Sequence, residues 1–455
     1  MKKIVVIGGG PAGYPAALQA ASLGAQVTLV EKHKLGGVCL NCGCIPSKSF
    51  LEAAHRFQTA FAAAELGSEN ARAAAQALFD ARDFAQVKAR QQAATQKLAQ
   101  GISLLLKKAQ VTVLNGQASF ADPHTLSVRT AEGEQTLTFD GAILATGSQA
   151  FYPPPFDALA GQIYDNFNFF TMEQLPKSMA VIGGGVIGCE MADFLNAFGV
   201  EVHIVEMQPR LLPSEEETAA RVVAQAFTKR GISLHLATSA TGAIKTQDGF
   251  ELTLSAGEKL HTQAVLAAIG RTVDLSELHL ENIGVAWTRK GVQVNPQTMQ
   301  LKDHIYAAGD VTGLLQLAHA ATRQGEVAAR NLCGQPALYH NERVPRAIYT
   351  TPEVASVGLS RAQAQANGVE IKAHKAFFLA NGRAVAQGQT DGYVEWISDA
   401  QTGRLLGASS VGKSASELIH IAAVALEAGL TVAQLRQTVF AHPTFAETWG
   451  EALAR

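Results

Sequence analysis

Residues 4–13 read IVVIGGGPAG, an apolar run rich in β-branched residues that leads directly into three glycines. Such a run is typical of a parallel strand that is buried on both faces. The glycines suit a tight turn, a close approach of the backbone to a pyrophosphate and close packing of the next helix, in the order Gly8, Gly10 and Gly13. A second apolar strand then ends on Glu31, whose carboxylate suits a ribose hydroxyl. The pattern predicts a dinucleotide-binding unit.

The same pattern recurs at residues 179–206, with glycines at the corresponding places, Gly183, Gly185 and Gly188. In both copies a glutamate follows the first glycine after 23 positions, at Glu31 and at Glu206. Two copies, each with a strand, a helix and a terminal glutamate, predict two bound dinucleotides. The carboxylate of Glu206 suits a free 2′-hydroxyl and repels a 2′-phosphate, so it favours NAD over NADP, although Arg210 lies nearby in the sequence.

Residues 36–48 read GGVCLNCGCIPSK and contain three of the five cysteines of the chain, Cys39, Cys42 and Cys44. A metal site would need a fourth ligand, and His33 is the only candidate nearby. Inert core thiols are a second interpretation. The third is a redox pair beside the nucleotide, which the surrounding glycines favour because they indicate a backbone packed against a ligand. No metal is expected, and the residues alone leave the pairing open.

The whole chain has 455 residues and a formal charge of −2, with 47% hydrophobic and 17% charged residues. Its length predicts several domains, and its charge indicates neither nucleic acid nor a membrane surface as a partner. No export signal fits ahead of the first strand, and no apolar run is long enough to span a membrane. We therefore expect a cytoplasmic protein. Residues 51–110 predict a packed pair of helices, and the pattern from about 346 predicts a separate α+β domain.

With both glycine motifs and the thiol segment in view, the chain resembles the flavin-dependent pyridine nucleotide–disulfide oxidoreductases over essentially its full length. The family pattern Gly-Gly-x-Cys-x₄-Cys-x-Pro-Ser/Thr-Lys matches residues 36–48. This resemblance implies an α/β fold with two Rossmann-like domains, for FAD and NAD, and a C-terminal α+β dimerisation domain. The implied division of the chain is an FAD-binding domain in two parts, an NAD-binding domain between them and the interface domain, at 1–148 and 273–345, 149–272, and 346–455.

The resemblance also implies catalytic roles. Cys39 is expected to meet the substrate and Cys44 to lie against the flavin, the two forming the redox disulfide, with Cys42 as an additional thiol. Lys48 is expected near the flavin N5, paired with Glu190. The segment His-Pro-Thr-x-x-Glu, which contains His442 and Glu447, is expected to supply an acid–base imidazole to the partner subunit. The homodimer is then required for catalysis.

Further positions carry over as cofactor contacts. For FAD, beyond the first glycine motif, Glu31 and Lys48, they are Gly37, Gly116, Thr146, Gly147, Asp310 and Ala318. For NAD, beyond the second motif and Glu206, Gly270 is expected to border the site. The segment after Gly270 departs from the usual Gly-Arg-x-Pro-Asn by reading Gly-Arg-Thr-Val-Asp, which leaves the loop geometry open.

Within the family, the chain is most similar to the NAD-linked members that oxidise dihydrolipoamide. The expected substrate is therefore a lipoyl group on a carrier domain of a 2-oxo acid dehydrogenase or glycine cleavage complex. Two alternatives stay open: an NAD(P)H-dependent reductase of another disulfide, and a non-catalytic flavin-binding subunit of a complex.

Overall fold

The computed structural model describes residues 1–454. Its first sheet has six strands, and the buried run Ile4–Ile7 lies in the middle of it because apolar side chains on both faces require cover on both sides. Only the first strand in the spatial order pairs antiparallel. That order is Gln300–Lys302, Ile305–Ala307, Gly141–Leu144, Lys3–Ile7, Gln26–Glu31 and Thr112–Asn115.

Helices Gly13–Ser22 and Ala318–Leu332 pack together beside this sheet. A three-stranded antiparallel sheet lies in the chain between strands Thr112–Asn115 and Gly141–Leu144. Its strands are Gln117–Asp122, Thr125–Thr130 and Gly133–Thr138. The chain therefore leaves the first sheet after Leu144 and returns to it at Gln300. Residues from Val273 onward already pack into the core beside that sheet.

The region predicted as a pair of helices contains three. Helix Cys44–Ala64 is followed by Glu69–Asp80 and Phe84–Lys108, and the first packs against the third. The prediction was wrong in the number of helices because the first helix ends at Ala64 and a new helix begins after the N-cap residue Ser68. The side chain of Asp83 then caps the third helix by accepting a hydrogen bond from the Ala85 N–H at 2.8 Å.

The second glycine motif lies in a separate five-stranded parallel sheet. Its spatial order is Ser233–His235, Glu201–Val205, Ser178–Ile182, Ala264–Ala267 and Tyr164–Asp165. Helices Val186–Ala197 and Glu217–Lys229 pack beside this sheet. A small antiparallel sheet is formed by Ala240–Lys245, Phe250–Leu254 and Lys259–Thr262. Two short ribbons complete this half of the chain, Gln149–Ala150 with Arg271–Thr272 and Trp287–Thr288 with Gly291–Val292.

The C-terminal part has an antiparallel sheet of five strands, in the order Arg346–Ile348, Glu353–Gly358, Leu405–Gly412, Tyr393–Asp399 and Ile371–Phe377. Its core includes the tilted pair Trp396 and Trp449, with ring centroids 4.5 Å apart. Five helices belong to this part, Arg361–Ala366, Gly382–Ala386, Ala415–Glu427, Val432–Leu435 and Glu447–Leu453. The predicted α/β architecture with two Rossmann-like units and a C-terminal α+β domain is confirmed.

Hydropathy gives no candidate for a membrane span: within residues 1–454, every helix is too short or too polar to cross a bilayer.

Candidate active site

The first and third glycines of both motifs are required by the packing of the protein itself. Gly8 has a φ of +105°, and a Cβ on it would lie 2.3 Å from the Ala145 carbonyl oxygen. A Cβ on Gly13 would lie 1.7 Å from the Gly8 oxygen, so the helix approaches the turn as closely as a dinucleotide motif demands. Gly183 and Gly188 repeat this arrangement, with corresponding distances of 2.4 Å to the Ala268 oxygen and 1.9 Å to the Gly183 oxygen.

Three other glycines that were predicted to border a nucleotide face open space. A Cβ on Gly185 would meet nothing within 4 Å, and the same holds for Gly270 and for Gly147. Gly10 faces Gly37, because a Cβ on Gly37 would come within 2.7 Å of the Gly10 Cα. Bare backbone beside free space at the end of a parallel strand fits a bound pyrophosphate, so the residues present fit both dinucleotides.

The two motif glutamates make the same pair of contacts. Glu31 accepts the Gly9 N–H at 2.6 Å and the His33 N–H at 2.7 Å. Glu206 accepts the Gly184 N–H at 2.6 Å and the Gln208 N–H at 2.7 Å. Both carboxylates are buried and fixed by backbone donors, while each oxygen keeps a lone pair for a ribose hydroxyl.

Arg210, the residue that could have favoured a 2′-phosphate, is engaged elsewhere. Its exposed guanidinium donates to the Pro213 carbonyl at 3.0 Å.

The other residues predicted to contact FAD lie around the first sheet. Thr146 is exposed just after strand Gly141–Leu144, and Ala318 is the first residue of its helix. Gly116 follows strand Thr112–Asn115 and donates its N–H to the backbone carbonyl of Glu31 at 2.9 Å. A Cβ on Gly116 would lie 2.7 Å from the Arg129 oxygen, so sheet packing alone already demands a glycine there.

Asp310 belongs to a network that the sequence did not reveal. Its carboxylate accepts the Ser148 hydroxyl at 2.6 Å and lies 3.4 Å from Arg271. Arg271 in turn donates to the Ser148 hydroxyl and carbonyl, both at 2.7 Å. Arg271, the residue after Gly270, therefore contacts Asp310 across the junction between the two nucleotide-binding units.

The thiol segment is anchored to the first glycine loop. The Gly36 N–H donates to the Gly9 oxygen at 2.8 Å. Gly36 and Gly37 have φ values of +89° and +58°, which start the short helix Gly37–Cys42. Gly43 lies between this helix and helix Cys44–Ala64 and interrupts the helical conformation. This break removes the constraint of a single helical face and lets Cys39 reach Cys44.

Cys39 and Cys44 form a hydrogen-bonded pair of thiols, and all five cysteines are free. The hydrogen bond from the Cys39 thiol and the Lys48 charge together lower the pKa of Cys44 to about 7, although burial opposes both. The same hydrogen bond raises the pKa of Cys39, and burial adds to the increase. The first proton that the reduced pair loses is therefore that of Cys44, and the Cys39 thiol stabilises the resulting thiolate.

Cys42 differs from its neighbours. It is half-buried and packs against the apolar cluster that contains Phe50 and Phe194. Burial raises the pKa of Cys42 to about 11, so its thiol stays protonated and is a poor nucleophile near neutral pH. Of the two remaining cysteines, Cys189 is fully buried and Cys333 is half-buried.

Lys48 and Glu190 form the predicted ion pair. The Lys48 Nζ donates to both Glu190 oxygens, at 2.9 and 2.8 Å. Burial disfavours the charged lysine, yet the Glu190 carboxylate holds the pKa of Lys48 above its ordinary value. Glu190 also accepts the Tyr349 N–H at 3.0 Å, and the Tyr349 ring lies 4.4 Å from the Lys48 Nζ. Tyr349, which the sequence did not single out, thus joins the interface domain to this pair.

His442 and Glu447 also pair as predicted. The imidazole Nδ1 lies 2.9 Å from the Glu447 Oε2, while the His442 side chain is 77% exposed and that of Glu447 only 14%. A carboxylate on Nδ1 directs the other nitrogen, Nε2, towards solvent as the site of proton exchange.

For the reduced protein we expect the Cys44 thiolate to appear with a midpoint near pH 7. Changing Lys48 to methionine removes a stabilising positive charge, so the midpoint should move to higher pH. The measurement is the ultraviolet thiolate absorbance, taken as the difference from a Cys44→Ser variant across the pH range. Lys32→Met, which removes an exposed lysine paired with Glu277, is the control and should leave the midpoint unchanged. A midpoint at the ordinary thiol value of 9.0 in the unaltered protein would contradict the assignment.

Groups of metal ligands are missing from the described part of the chain: residues 1–454 contain no cluster of three or more His, Cys, Asp or Glu side chains arranged to hold an ion.

Comparison with known proteins defines the class. A family described as pyridine nucleotide-disulphide oxidoreductase matches residues 2–325, and the dimerisation domain of that family matches residues 344–453. The chain therefore belongs to the pyridine nucleotide-disulphide oxidoreductase family. It is a dithiol/disulfide oxidoreductase that uses FAD and NAD(H), and the predicted family and cofactors are confirmed.

Particular relatives are similar over the full length. The dihydrolipoyl dehydrogenase of Geobacillus stearothermophilus is 37% identical over 454 residues, covering 98% of this chain and 94% of that protein. The crystal structure of LpdA from Mycobacterium tuberculosis has a TM-score of 0.91 at 29% identity, covering 100% of this chain and 99% of that one. RclA of Escherichia coli, an HOCl-induced flavoprotein disulfide reductase, has a TM-score of 0.85 at 27% identity, with 99% of both chains covered.

Proposed function

We propose that this protein transfers two electrons from dihydrolipoamide to NAD⁺. The observation that carries the proposal is the Cys39–Cys44 pair, in which a thiol donates to a thiolate beside the Lys48–Glu190 ion pair. Similarity to dihydrolipoyl dehydrogenases at 35–37% identity over nearly the whole chain supports the choice of substrate.

In the proposed reaction, one thiolate of the substrate attacks the Cys39 sulfur of the Cys39–Cys44 disulfide. The bond between the two cysteines breaks, and Cys44 leaves as a thiolate, which suits its lowered pKa. The second substrate thiol then attacks the substrate sulfur of the mixed disulfide, which releases cyclic lipoamide and the Cys39 thiol. Of the two substrate protons, one ends on Cys39 and the other on the Nε2 of His442, whose Nδ1 is held by Glu447.

When bound, FAD supplies the two-electron acceptor for this dithiol and NAD⁺ supplies the final hydride acceptor. We propose that FAD is held by the first glycine motif, by Lys48 and by the residues Glu31, Gly37, Gly116, Thr146, Gly147, Asp310 and Ala318. NAD⁺ is held by the second motif, Glu206 and Gly270. The buried Glu206 carboxylate supports NAD over NADP.

The subunit arrangement follows from the exposure of His442. A proton acceptor that is 77% exposed on a domain of the dimerisation family supports a homodimer in which His442 completes the site of the partner. Within the chain, the proposed division is an FAD domain at 1–148 and 273–345, an NAD domain at 149–272 and the interface domain at 346–455. We further propose a cytoplasmic enzyme whose substrate is a lipoyl group on the carrier domain of a 2-oxo acid dehydrogenase or glycine cleavage complex.

A substrate panel tests this proposal. We expect NADH-dependent reduction of lipoamide to exceed that of glutathione disulfide and coenzyme A disulfide by roughly tenfold or more, since sites built for one substrate reject its analogues by such factors. The reverse reaction, dihydrolipoamide with NAD⁺ or NADP⁺, measures the nucleotide preference. Activity with another disulfide but not with lipoamide would overturn the choice of substrate.

A second candidate is a reductase of a different disulfide. The structural likeness to RclA, a flavoprotein disulfide reductase, favours it. The same panel decides between the two, because both enzymes would use the Cys39–Cys44 pair. If none of the disulfides is reduced, a non-catalytic flavin-binding subunit becomes the better account.

A further inference from the structure

The loop that carries His442 is hydrogen-bonded to a buried side-chain amide from another segment of the interface domain. Asn381 precedes helix Gly382–Ala386 and is fully buried. Its Nδ2 donates to the Thr444 carbonyl and to the Thr448 hydroxyl, both at 3.0 Å, and lies 3.4 Å from the Glu447 Oε1. One amide group therefore contacts three residues around the His442–Glu447 pair.

The two oxygens of Glu447 have different partners. Oε2 faces His442 at 2.9 Å, whereas Oε1 accepts the Thr444 N–H at 3.3 Å and the longer contact from Asn381. With Oε1 occupied by neutral donors, the carboxylate is fixed in the orientation that presents Oε2 to the imidazole.

The other end of the Asn381 side chain has a structural task. Its Oδ1 accepts the Ala384 N–H at 2.9 Å and so caps helix Gly382–Ala386. The Asn381 amide is thus the link between a capped helix and the acid–base loop. An aspartate at this position keeps the capping oxygen but loses the two N–H donors of the amide.

We propose that Asn381 is a positioning residue for proton transfer, which acts by holding Glu447 and thereby His442. This inference rests on the proposed role of the His442–Glu447 pair. The ionisable side chains of this hydrogen-bonded cluster are His442 and Glu447, and its two helices also carry Arg383 and Glu451.

The test is Asn381→Asp. We expect kcat/KM for dihydrolipoamide to fall between roughly tenfold and a hundredfold, since misplacing a catalytic group costs factors of that size. A new carboxylate beside Glu447 also favours the imidazolium, so the rising limb of the pH profile should move to higher pH. Electron transfer from NADH to a soluble dye, which does not use the acid–base pair, should be unchanged. Asn381→Ser, which keeps a capping oxygen, is the second variant if the first does not fold.

Ser360→Ala is the matched control, because it removes the capping box of helix Arg361–Ala366 in the same domain without touching the His442 loop. It should lower the unfolding temperature while leaving the pH profile in place. In a Glu447→Gln background, Asn381→Asp should have little additional effect on kcat/KM. An equal effect in both backgrounds, or an unshifted pH profile, would overturn the inference. If Glu447→Gln alone leaves dithiol oxidation intact, the proposed acid–base pair itself is wrong.

Discussion

Replacing Cys44 by serine should lower the rate of lipoamide turnover by about a thousandfold or more, as losses of a covalent catalytic residue generally do. A serine hydroxyl neither forms the disulfide with Cys39 nor provides the thiolate that Cys44 carries, with its pKa of about 7. The measurement is NADH-dependent reduction of lipoamide, with the dye reaction as a check that the flavin is bound. Full lipoamide activity in this variant would refute the proposed mechanism.

Cys42→Ser is the control for that experiment, because Cys42 lies in the same segment and is also half-buried. Its thiol has a pKa of about 11, so the variant should turn over lipoamide much as the unaltered protein does. The unaltered protein, once oxidised and then unfolded, should show three titratable thiols, because the disulfide removes two of its five cysteines. A loss of activity equal to that of Cys44→Ser would mean that the redox pair had been misassigned.

Local patterns were sufficient to predict both nucleotide-binding units. Gly8 and Gly13 are read from spacing alone because a turn and a closely packed helix impose their own geometry on adjacent residues. The break at Gly43 could be expected for the same reason. The number of helices after Cys44 could have been found from the capping residues Ser68 and Asp83, which precede new helices.

Such local patterns could not predict contacts between residues that lie far apart in the sequence. The Lys48–Glu190 pair joins residues 142 positions apart and was predicted only through resemblance to a family. Arg271 belongs to a recognised segment and Tyr349 does not, but the contacts of both arise because distant segments meet at the domain junctions. Asn381 looks in the sequence like an ordinary helix cap, and only the folded interface domain brings its amide to Glu447.

Changing His442 to alanine should reduce dihydrolipoamide oxidation by roughly a hundredfold or more, the usual contribution of a positioned general base. The dye reaction should be spared, because it needs no proton acceptor at the thiols. The loss should be largest near neutral pH, since at high pH the substrate thiols ionise without help. An unchanged rate of dithiol oxidation would exclude His442 as the proton acceptor.

Hybrid dimers decide which site His442 serves. One subunit carries Cys44→Ser and keeps its histidine, while the other carries His442→Ala and keeps both redox cysteines. If His442 acts on the partner, one of the two sites in the hybrid has intact cysteines and an intact histidine, so mixing two nearly inactive proteins should restore activity. If His442 acts within its own subunit, each site lacks one component and the hybrid stays as inactive as its parents. Because His442 is exposed and belongs to a domain of the dimerisation family, we expect the mixture to recover.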